Sequence, residues 1–186
     1  MMSRIRIALG VAALAGLAAC NEPLLPESPY EVRVDTLTMY AFNGTPRTVP
    51  SALNVAAGQA VPLSTSFTFD VAIDINAEGR AVVYPVQLLV SGLGGRTGIQ
   101  VKPAGSFESI EKAPVSGYSF DTPAVVGEGE VVVIQTAAES CPYYTPVIYA
   151  KLAVDSIIPA ERRMRVRFSA NPNCGYISLR PGRSRE

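Results

Sequence analysis

The chain has 186 residues, of which 16 are Lys or Arg, 16 are Asp or Glu and none is His. A formal net charge of zero argues against a nucleic-acid binder, and the absence of His removes the commonest general base, the Ser-His and Cys-His nucleophile pairs and every imidazole metal ligand. With 17% charged residues, 15 Gly and 15 Pro, the composition excludes a helical repeat and a disordered polyampholyte, and the length fits one domain preceded by a targeting segment.

The segment 1–19 has the layout of a secretory signal peptide. Arg4 and Arg6 are followed by an apolar run from Ile7 to Ala19, which is shorter than the roughly 20 residues that a membrane-spanning helix needs. The run ends in Leu17-Ala18-Ala19-Cys20, which resembles the lipobox of bacterial lipoprotein signal peptides. The resemblance implies that Cys20 receives a diacylglyceryl group, that a peptidase cuts before Cys20 and that the new N-terminus is acylated.

The same resemblance implies an extracytoplasmic protein that is anchored to membrane lipid through acylated Cys20. Two or more acyl chains give stable anchoring, whereas one chain binds only marginally. In double-membrane bacteria an Asp after the Cys tends to retain members of this class at the inner membrane, so Asn21 favours the outer membrane. The alternative is an ordinary signal peptide in which Cys20 lies near the cleavage site.

Residues 20–30 are predicted to form a tether between the lipid and the folded domain. Pro23, Pro26 and Pro29 recur at every third position, which favours extended polyproline II and gives a reach of roughly 30 Å. The domain is predicted for residues 31–180, with a basic tail at residues 181–186. Loss of residues 1–19 removes two of the 16 bases and none of the acids, so the mature chain is slightly acidic, although residues 161–186 hold 7 Arg against 2 Glu.

Alternating apolar residues predict two β-hairpins. In the first, odd-numbered residues from Phe67 to Ile75 and even-numbered residues from Val82 to Val90 form the inward rows, and Pro85 indicates an edge strand or a bulge. In the second, the inward rows are the even-numbered residues 148–154 and 164–168, joined by a turn at residues 159–161, and Asp155 is expected opposite Arg163 or Arg165.

Short strands separated by Gly and Pro turns dominate the rest of the domain. The further strand candidates are Val34–Phe42, Ile99–Val101, Tyr118–Asp121 and Glu130–Thr136, and Ser106–Lys112 could form one helical turn. This layout predicts an all-β fold, either a single antiparallel β-sandwich or a small β-barrel.

The cysteines divide into an anchor and a pair. With Cys20 lipidated, Cys141 and Cys174 remain as an even number in an oxidising compartment. We predict a disulfide between them, because a two-Cys metal site has no His or further Cys to complete it. In the chain-entropy model a bridge closing this loop stabilises the fold by roughly 3–4 kcal/mol.

The segment after Asp74 matches the start of a calcium-binding loop. Asp74, Asn76 and Glu78 supply oxygen side chains at positions 1, 3 and 5, and Gly79 follows. Position 12, which needs a bidentate acid, is Pro85, and the surrounding pattern is strand–turn–strand. A plain hairpin turn is the preferred interpretation and a metal site the weak alternative.

Two further patterns give little support to catalysis. Asp70 and Asp74 share a strand face but lie about 13 Å apart at ~3.3 Å per residue, too far for a glycosidase pair and better suited to a solvated face. Ser109-Ile110-Glu111-Lys112 spells the Ser-x-x-Lys of penicillin-recognising enzymes, without the partner motifs elsewhere in the chain.

A basic stripe and a group of tyrosines form the candidate binding surface. Arg163, Arg165 and Arg167 share one face of a strand, where guanidinium groups could grip phosphate or carboxylate groups, or could simply be solvated. Near the cysteines lie Tyr143, Tyr144, Tyr149 and Tyr176, which suit either a binding surface or packing.

The sequence therefore predicts a non-catalytic envelope binding or structural module with no cofactor. Its predicted partners are membrane lipid and an envelope protein or anionic polymer, and not nucleic acid. The alternatives are a barrel that carries a small apolar ligand and a hydrolase that uses carboxylates or a Ser-Lys pair without His.

Overall fold

A computed structural model describes residues 26–63, 68–93, 96–138, 141 and 147–185. The predicted signal peptide, Cys20, Phe67, Tyr143 and Tyr144 lie outside the described residues.

The described residues form ten β-strands in two antiparallel sheets, which confirms the predicted all-β sandwich. In chain order the strands are β1 (Arg33–Tyr40), β2 (Pro50–Asn54), β3 (Gln59–Pro62), β4 (Val71–Ile75), β5 (Ala81–Pro85), β6 (Thr97–Lys102), β7 (Ala124–Val126), β8 (Val131–Ala137), β9 (Val147–Ile158) and β10 (Arg163–Asn171). The first sheet has the order β1-β10-β9-β8-β6 and the second sheet the order β3-β2-β4-β5-β7.

The core lies between the two sheets. The predicted inward rows of β9 and β10 are confirmed: Ile148, Ala150, Leu152 and Val154 pack with Met164, Val166 and Phe168, and all are buried. Alternation is strict in β10, where polar residues, three of them arginines, separate the apolar ones, so only one face of this strand can enter the core.

The predicted inward row of β5 is wrong, although the hairpin itself is confirmed. Ala81 and Val83 enter the core, because Val83 pairs with Ile73 of β4. Val82 and Tyr84 face the opposite side of the second sheet. Since residues 81–84 are all apolar or aromatic, hydrophobicity alone does not distinguish the two faces, and pairing with β4 sets the register.

Pro85 ends an interior strand and does not mark an edge or a bulge. β5 pairs with β4 on one side and with β7 on the other, but β7 reaches only as far as Val83. Pro85 is the last residue of β5, so its missing N–H lies beyond the β7 ladder, and a single turn of 3₁₀ helix follows at Val86–Leu88.

Other predicted elements differ from the structure in detail. Tyr118–Asp121 is not a strand, since only Ser119 forms an isolated bridge, to Ile99. The three short strands β2, β3 and β7 were not predicted. At Ser106–Lys112 the Ile110 N–H donates to the Ser106 carbonyl over 2.9 Å, a single helix-like hydrogen bond.

A bulge in the β9–β10 pair changes the predicted partner of Asp155. Arg165 lies opposite Ser156 and Val166 lies opposite Val154, so Asp155 is the extra residue. Its carboxylate accepts a hydrogen bond from Arg167 Nε over 2.8 Å and not from Arg163 or Arg165.

The predicted disulfide is confirmed. Cys141, which follows β8, is bonded to Cys174, which follows β10, with a Cα–Cα distance of 5.6 Å. The bridge therefore ties the connection between two central strands of the first sheet to the C-terminal segment.

Candidate functional site

The outer face of the first sheet carries the basic stripe. Arg163, Arg165 and Arg167 alternate with the core residues of β10, and the neighbouring strand β1 places Tyr40, Thr38 and Thr36 directly opposite them. The face divides into two regions, one covered by other parts of the chain and one open.

The covered region lies under two segments, residues 103–123 and residues 172–180. Phe107 packs on Val131 and Ala153, and Ala113 and Leu179 pack near Val133 and Tyr149. The two covering segments are also bonded to each other, because the Ala113 N–H donates to the Ile177 carbonyl and the Leu179 N–H to the Glu111 carbonyl, each over 2.7 Å. Together they form a second, smaller apolar core outside the sandwich.

A buried lysine fixes this cover to the sheet. Lys151 of β9 is only 2% exposed, and its Nζ donates to the carbonyls of Phe107 and Ile110 over 2.7 and 2.9 Å. The ammonium group also lies 4.6 Å from the centroid of the Phe107 ring. Burial lowers the pKa of Lys151, while Glu108 and Glu111 oppose this shift.

Two serines of the covered region, Ser169 and Ser109, differ in their exposure. Ser169 lies across from Lys151 in the sheet, but its Oγ is fully buried, and Lys151 is bonded to two carbonyls. The Oγ of Ser109 donates to the Ser106 carbonyl over 3.0 Å. Ser169 is therefore closed to a substrate, whereas Ser109 is exposed and its hydroxyl is turned to a backbone carbonyl of its own segment.

Arg167 belongs to the covered region because its guanidinium group is held by acids of the same chain. Its Nε donates to Asp155 over 2.8 Å and its Nη1 to Glu108 over 2.9 Å, and its Cζ lies 4.8 Å from the Phe107 ring centroid. Of the three predicted stripe residues, Arg167 is therefore occupied by structural contacts.

The open region is a concavity of about 420 Å³ on the outer side of β1, β10 and the end of β9. Its lining includes Thr36, Thr38, Ser156, Arg163 and Arg165. Arg163 pairs with Glu161 over 2.7 Å. Arg165 is exposed, and within the described parts of the chain no carboxylate lies at ion-pair distance from it.

Tyr176 lies at the other end of β10, apart from the three arginines of the stripe. Arg163 begins β10 opposite Tyr40, whereas Tyr176 follows the end of that strand. The Tyr176 hydroxyl donates to the Pro26 carbonyl over 2.8 Å. Tyr149 packs in the covered region, 6.4 Å from the Tyr118 ring.

The weak metal candidate is a structural ion pair at a hairpin turn. Asp74 is buried, and its carboxylate accepts hydrogen bonds from Arg162 Nη2, Asn43 Nδ2 and the Ile75 N–H over 2.7, 2.6 and 2.9 Å. Asn76 Oδ1 accepts from the Arg80 N–H over 2.8 Å, as in an Asx-stabilised turn. Among the described residues no group of three His, Cys, Asp or Glu is placed to hold a metal ion.

Asp70 is also buried, so the expectation that Asp70 and Asp74 form a solvated face is wrong. Its carboxylate accepts from the Val55 N–H over 2.7 Å and from Thr136 Oγ1 over 2.8 Å, and Arg96 lies 3.4 Å away. Because Val55 follows β2 and Thr136 belongs to β8, this carboxylate joins the two sheets. The two acids at the ends of β4 are therefore engaged in hydrogen bonds that stabilise the fold.

Comparison with family models, with curated proteins and with solved structures finds no match for this chain. In the part of the chain that the structure describes, no helix has the length and apolar character needed to cross a bilayer.

Proposed function

We propose that this protein is a lipid-anchored, extracytoplasmic binding module that recognises an anionic group through the open region of its first sheet. The observation that carries the proposal is Arg165, an exposed guanidinium group inside a concavity and without a carboxylate partner among the described residues. Its neighbours Arg163 and Arg167 are both paired with acids of the chain.

The lining suits a carboxylate or a phosphate. A guanidinium group offers a planar fork of N–H donors, and the hydroxyls of Thr36, Thr38 and Ser156 surround it with further donors. Such groups occur on acidic envelope polymers and on acidic protein surfaces. The concavity is open to solvent on one side, so a carboxylate or phosphate carried on a larger molecule can reach it.

The packing of the sandwich favours a binding module over a carrier of small apolar molecules. A carrier needs space between the sheets, whereas Val71, Ile73, Leu152 and Val166 pack together there and are fully buried. A hydrolase is likewise less well supported, because the acids of β4 and the buried Lys151 are occupied by structural hydrogen bonds.

The proposed anchor rests on residues 1–20 and is supported by the Cys141–Cys174 disulfide, since such bonds persist in oxidising compartments. We expect the full-length protein to incorporate labelled palmitate and to fractionate with membranes, with the outer membrane in a double-membrane bacterium. Cys20→Ser should abolish both properties. A wild-type protein that takes up no label and stays soluble would contradict the anchor.

Binding to immobilised polygalacturonate and polyphosphate tests the open region. We expect Arg165→Ala to weaken binding to the preferred polymer by about tenfold, because a charge-assisted hydrogen bond contributes roughly 1.5–3 kcal/mol. Arg33→Ala is the matched control, since Arg33 is an exposed arginine on β1 outside the concavity. Equal weakening by both variants would mean that binding reports only overall charge, and the proposed site would be wrong.

A further inference from the structure

The N-terminal segment is held against the C-terminal segment before the first strand begins. The Val32 N–H and carbonyl both bond to Gly182 over 2.9 Å, and the Ser28 N–H donates to the Ser184 carbonyl over 2.7 Å. Ser28 is 1% exposed. The predicted tether therefore overlaps the folded part of the chain, and so does the predicted basic tail.

Side chains strengthen this attachment. Asn173 accepts a hydrogen bond from the Tyr30 N–H over 3.1 Å and donates to the Tyr30 carbonyl over 2.8 Å. The Tyr176 hydroxyl holds the Pro26 carbonyl. Cys174, which lies between Asn173 and Tyr176 in the sequence, is fixed by the disulfide. From Pro26 onward the chain thus has a defined place on the domain.

This attachment limits how far the domain can lie from the proposed lipid anchor. Only residues 21–25 separate Cys20 from Pro26, and six Cα steps span at most about 22 Å even when fully extended. A free tether ending at residue 30 would allow roughly 30 Å. The end of the sandwich that carries Pro26 and Tyr30 must therefore stay close to the membrane if Cys20 is acylated.

We infer that this end of the sandwich is a docking surface for the headgroup layer of the bilayer; the inference rests on the proposed acylation of Cys20. The surface, which we call the anchor-end face, is a concavity of about 640 Å³ lined by Pro29, Tyr30, Ala56, Pro172, Asn173, Cys174 and Tyr176. Tyr30 is 64% exposed although its backbone is held on both sides.

The chemistry of the anchor-end face suits the boundary between headgroups and acyl chains. Tyrosine has an apolar ring and a hydrogen-bonding hydroxyl, and it is enriched where membranes meet water. The charges nearby are mixed, with Glu27 and Glu31 beside Arg33, Arg183 and Arg185. We therefore expect the anchor-end face to contact the headgroup layer through tyrosine and proline rather than through net charge.

The same geometry directs the open region away from the membrane. β1 runs from the anchor-end face to Tyr40, about 26 Å from Val32 at ~3.3 Å per residue. Thr38 and Arg165 lie toward the distal end of this strand pair. A ligand at the open region would then bind at a distance from the bilayer surface.

Tryptophan fluorescence can test this orientation because the chain contains no Trp. Tyr30→Trp places one probe on the anchor-end face, and Tyr40→Trp places a matched probe at the distal end of the same strand. Both full-length variants are purified from membranes and reconstituted in equimolar phosphatidylethanolamine and phosphatidylglycerol, with or without lipids brominated near the glycerol end of the acyl chains. We expect at least about twofold stronger bromine quenching of the probe at position 30 than of the probe at position 40.

Equal quenching at the two positions, or stronger quenching at position 40, would overturn the inferred docking surface. Palmitate incorporation by the same two variants is scored separately. Label without a quenching difference contradicts docking but leaves the anchor intact, whereas a quenching difference without label contradicts the anchor and supports direct docking. Absence of both contradicts both. Circular dichroism of each variant checks that the sandwich is formed.

Discussion

The covered and open regions of the first sheet share the strands β9 and β10 but differ in what lies above them. In the covered region the amine of Lys151 is buried and bonded to the segment that crosses it. In the open region Arg165 faces solvent beside two threonines of β1. Arg165 and Arg167 lie on the same face of β10, as the alternation predicts. The covering segments make the difference between them, because they supply partners for Arg167 and leave Arg165 exposed.

Loss of the disulfide should have the largest effect on the covered region. The double change Cys141→Ala and Cys174→Ala is expected to lower the free energy of unfolding by roughly 3–4 kcal/mol in urea titrations, because it restores loop entropy to the unfolded chain. Hydrogen exchange should accelerate first at the amides of Ala113 and Leu179, which join the two covering segments. If exchange instead rises uniformly over β1 and β10, the bridge does not act on the cover.

Lys151→Met should release the cover itself. The substitution keeps much of the side-chain volume but leaves the carbonyls of Phe107 and Ile110 without their donor, which is expected to cost about 2–3 kcal/mol of stability. Arg165→Met is the matched control in the open region and should change stability by less than about 0.5 kcal/mol. Similar losses for the two variants in urea unfolding would remove the distinction between the regions.

Alanine substitutions at Arg167 and Arg165 should differ less in stability than the previous pair of variants, but they compare two positions of the same strand. Arg167→Ala should cost about 1 kcal/mol of thermal stability, because it removes packing on the Phe107 ring and two ion pairs that are partly screened by solvent. Arg165→Ala should leave the unfolding midpoint nearly unchanged while weakening polymer binding. A larger loss of stability at Arg165 than at Arg167 would reverse our assignment.

Tyr118→Phe should have the smallest effect on the free energy of unfolding at neutral pH. At alkaline pH the same substitution should show whether the Tyr118 phenol is buried in the covered region. The Tyr118 hydroxyl is buried without a hydrogen-bond partner among the described residues, so its removal is expected to be neutral or to stabilise by up to about 1 kcal/mol.

The free energy of unfolding, measured as the pH is raised, tests the burial of Tyr118. Burial, reinforced by Tyr149, raises the pKa of Tyr118 above its ordinary value of 10.0. The unfolded chain therefore loses this proton first, and wild-type stability should fall as the pH rises above 10. Tyr118→Phe should show a shallower decline. An unchanged slope would mean that Tyr118 is not buried as a neutral phenol.

Strict alternation made parts of the fold predictable from sequence. Arginines at residues 163, 165 and 167 exclude one face of β10 from the core, so both the inward row and the exposed stripe followed. The face of β5 did not follow, because residues 81–84 are apolar on both sides. The bulge interrupts the alternation, because the core positions run from Val154 to Ile157 with Asp155 and Ser156 between them. The prediction for Asp155 followed from an unbroken register, which placed it beside the wrong arginines.

The candidate site was only half predictable for a related reason. The arginines of β10 are visible in the sequence, but Thr36 and Thr38 reach them through pairing with a strand more than 100 residues away. The segments that cover Lys151 have no periodic sequence pattern. Their position depends on the hydrogen bonds from Lys151 Nζ to two backbone carbonyls. The attachment of the N-terminal segment likewise depends on Asn173 and Tyr176, and no sequence pattern indicates that these residues bond to it.

The register of β1 with β10 has a mechanical consequence. All eight residues of β1 pair with β10 without interruption. If the anchor holds the start of β1 and a bound polymer pulls on the distal end, the load runs along the strands. The ladder is then strained in shear, where its hydrogen bonds resist together, rather than opened one bond at a time. A protein held at one end of this strand pair and loaded at the other would withstand tension between the membrane and its ligand.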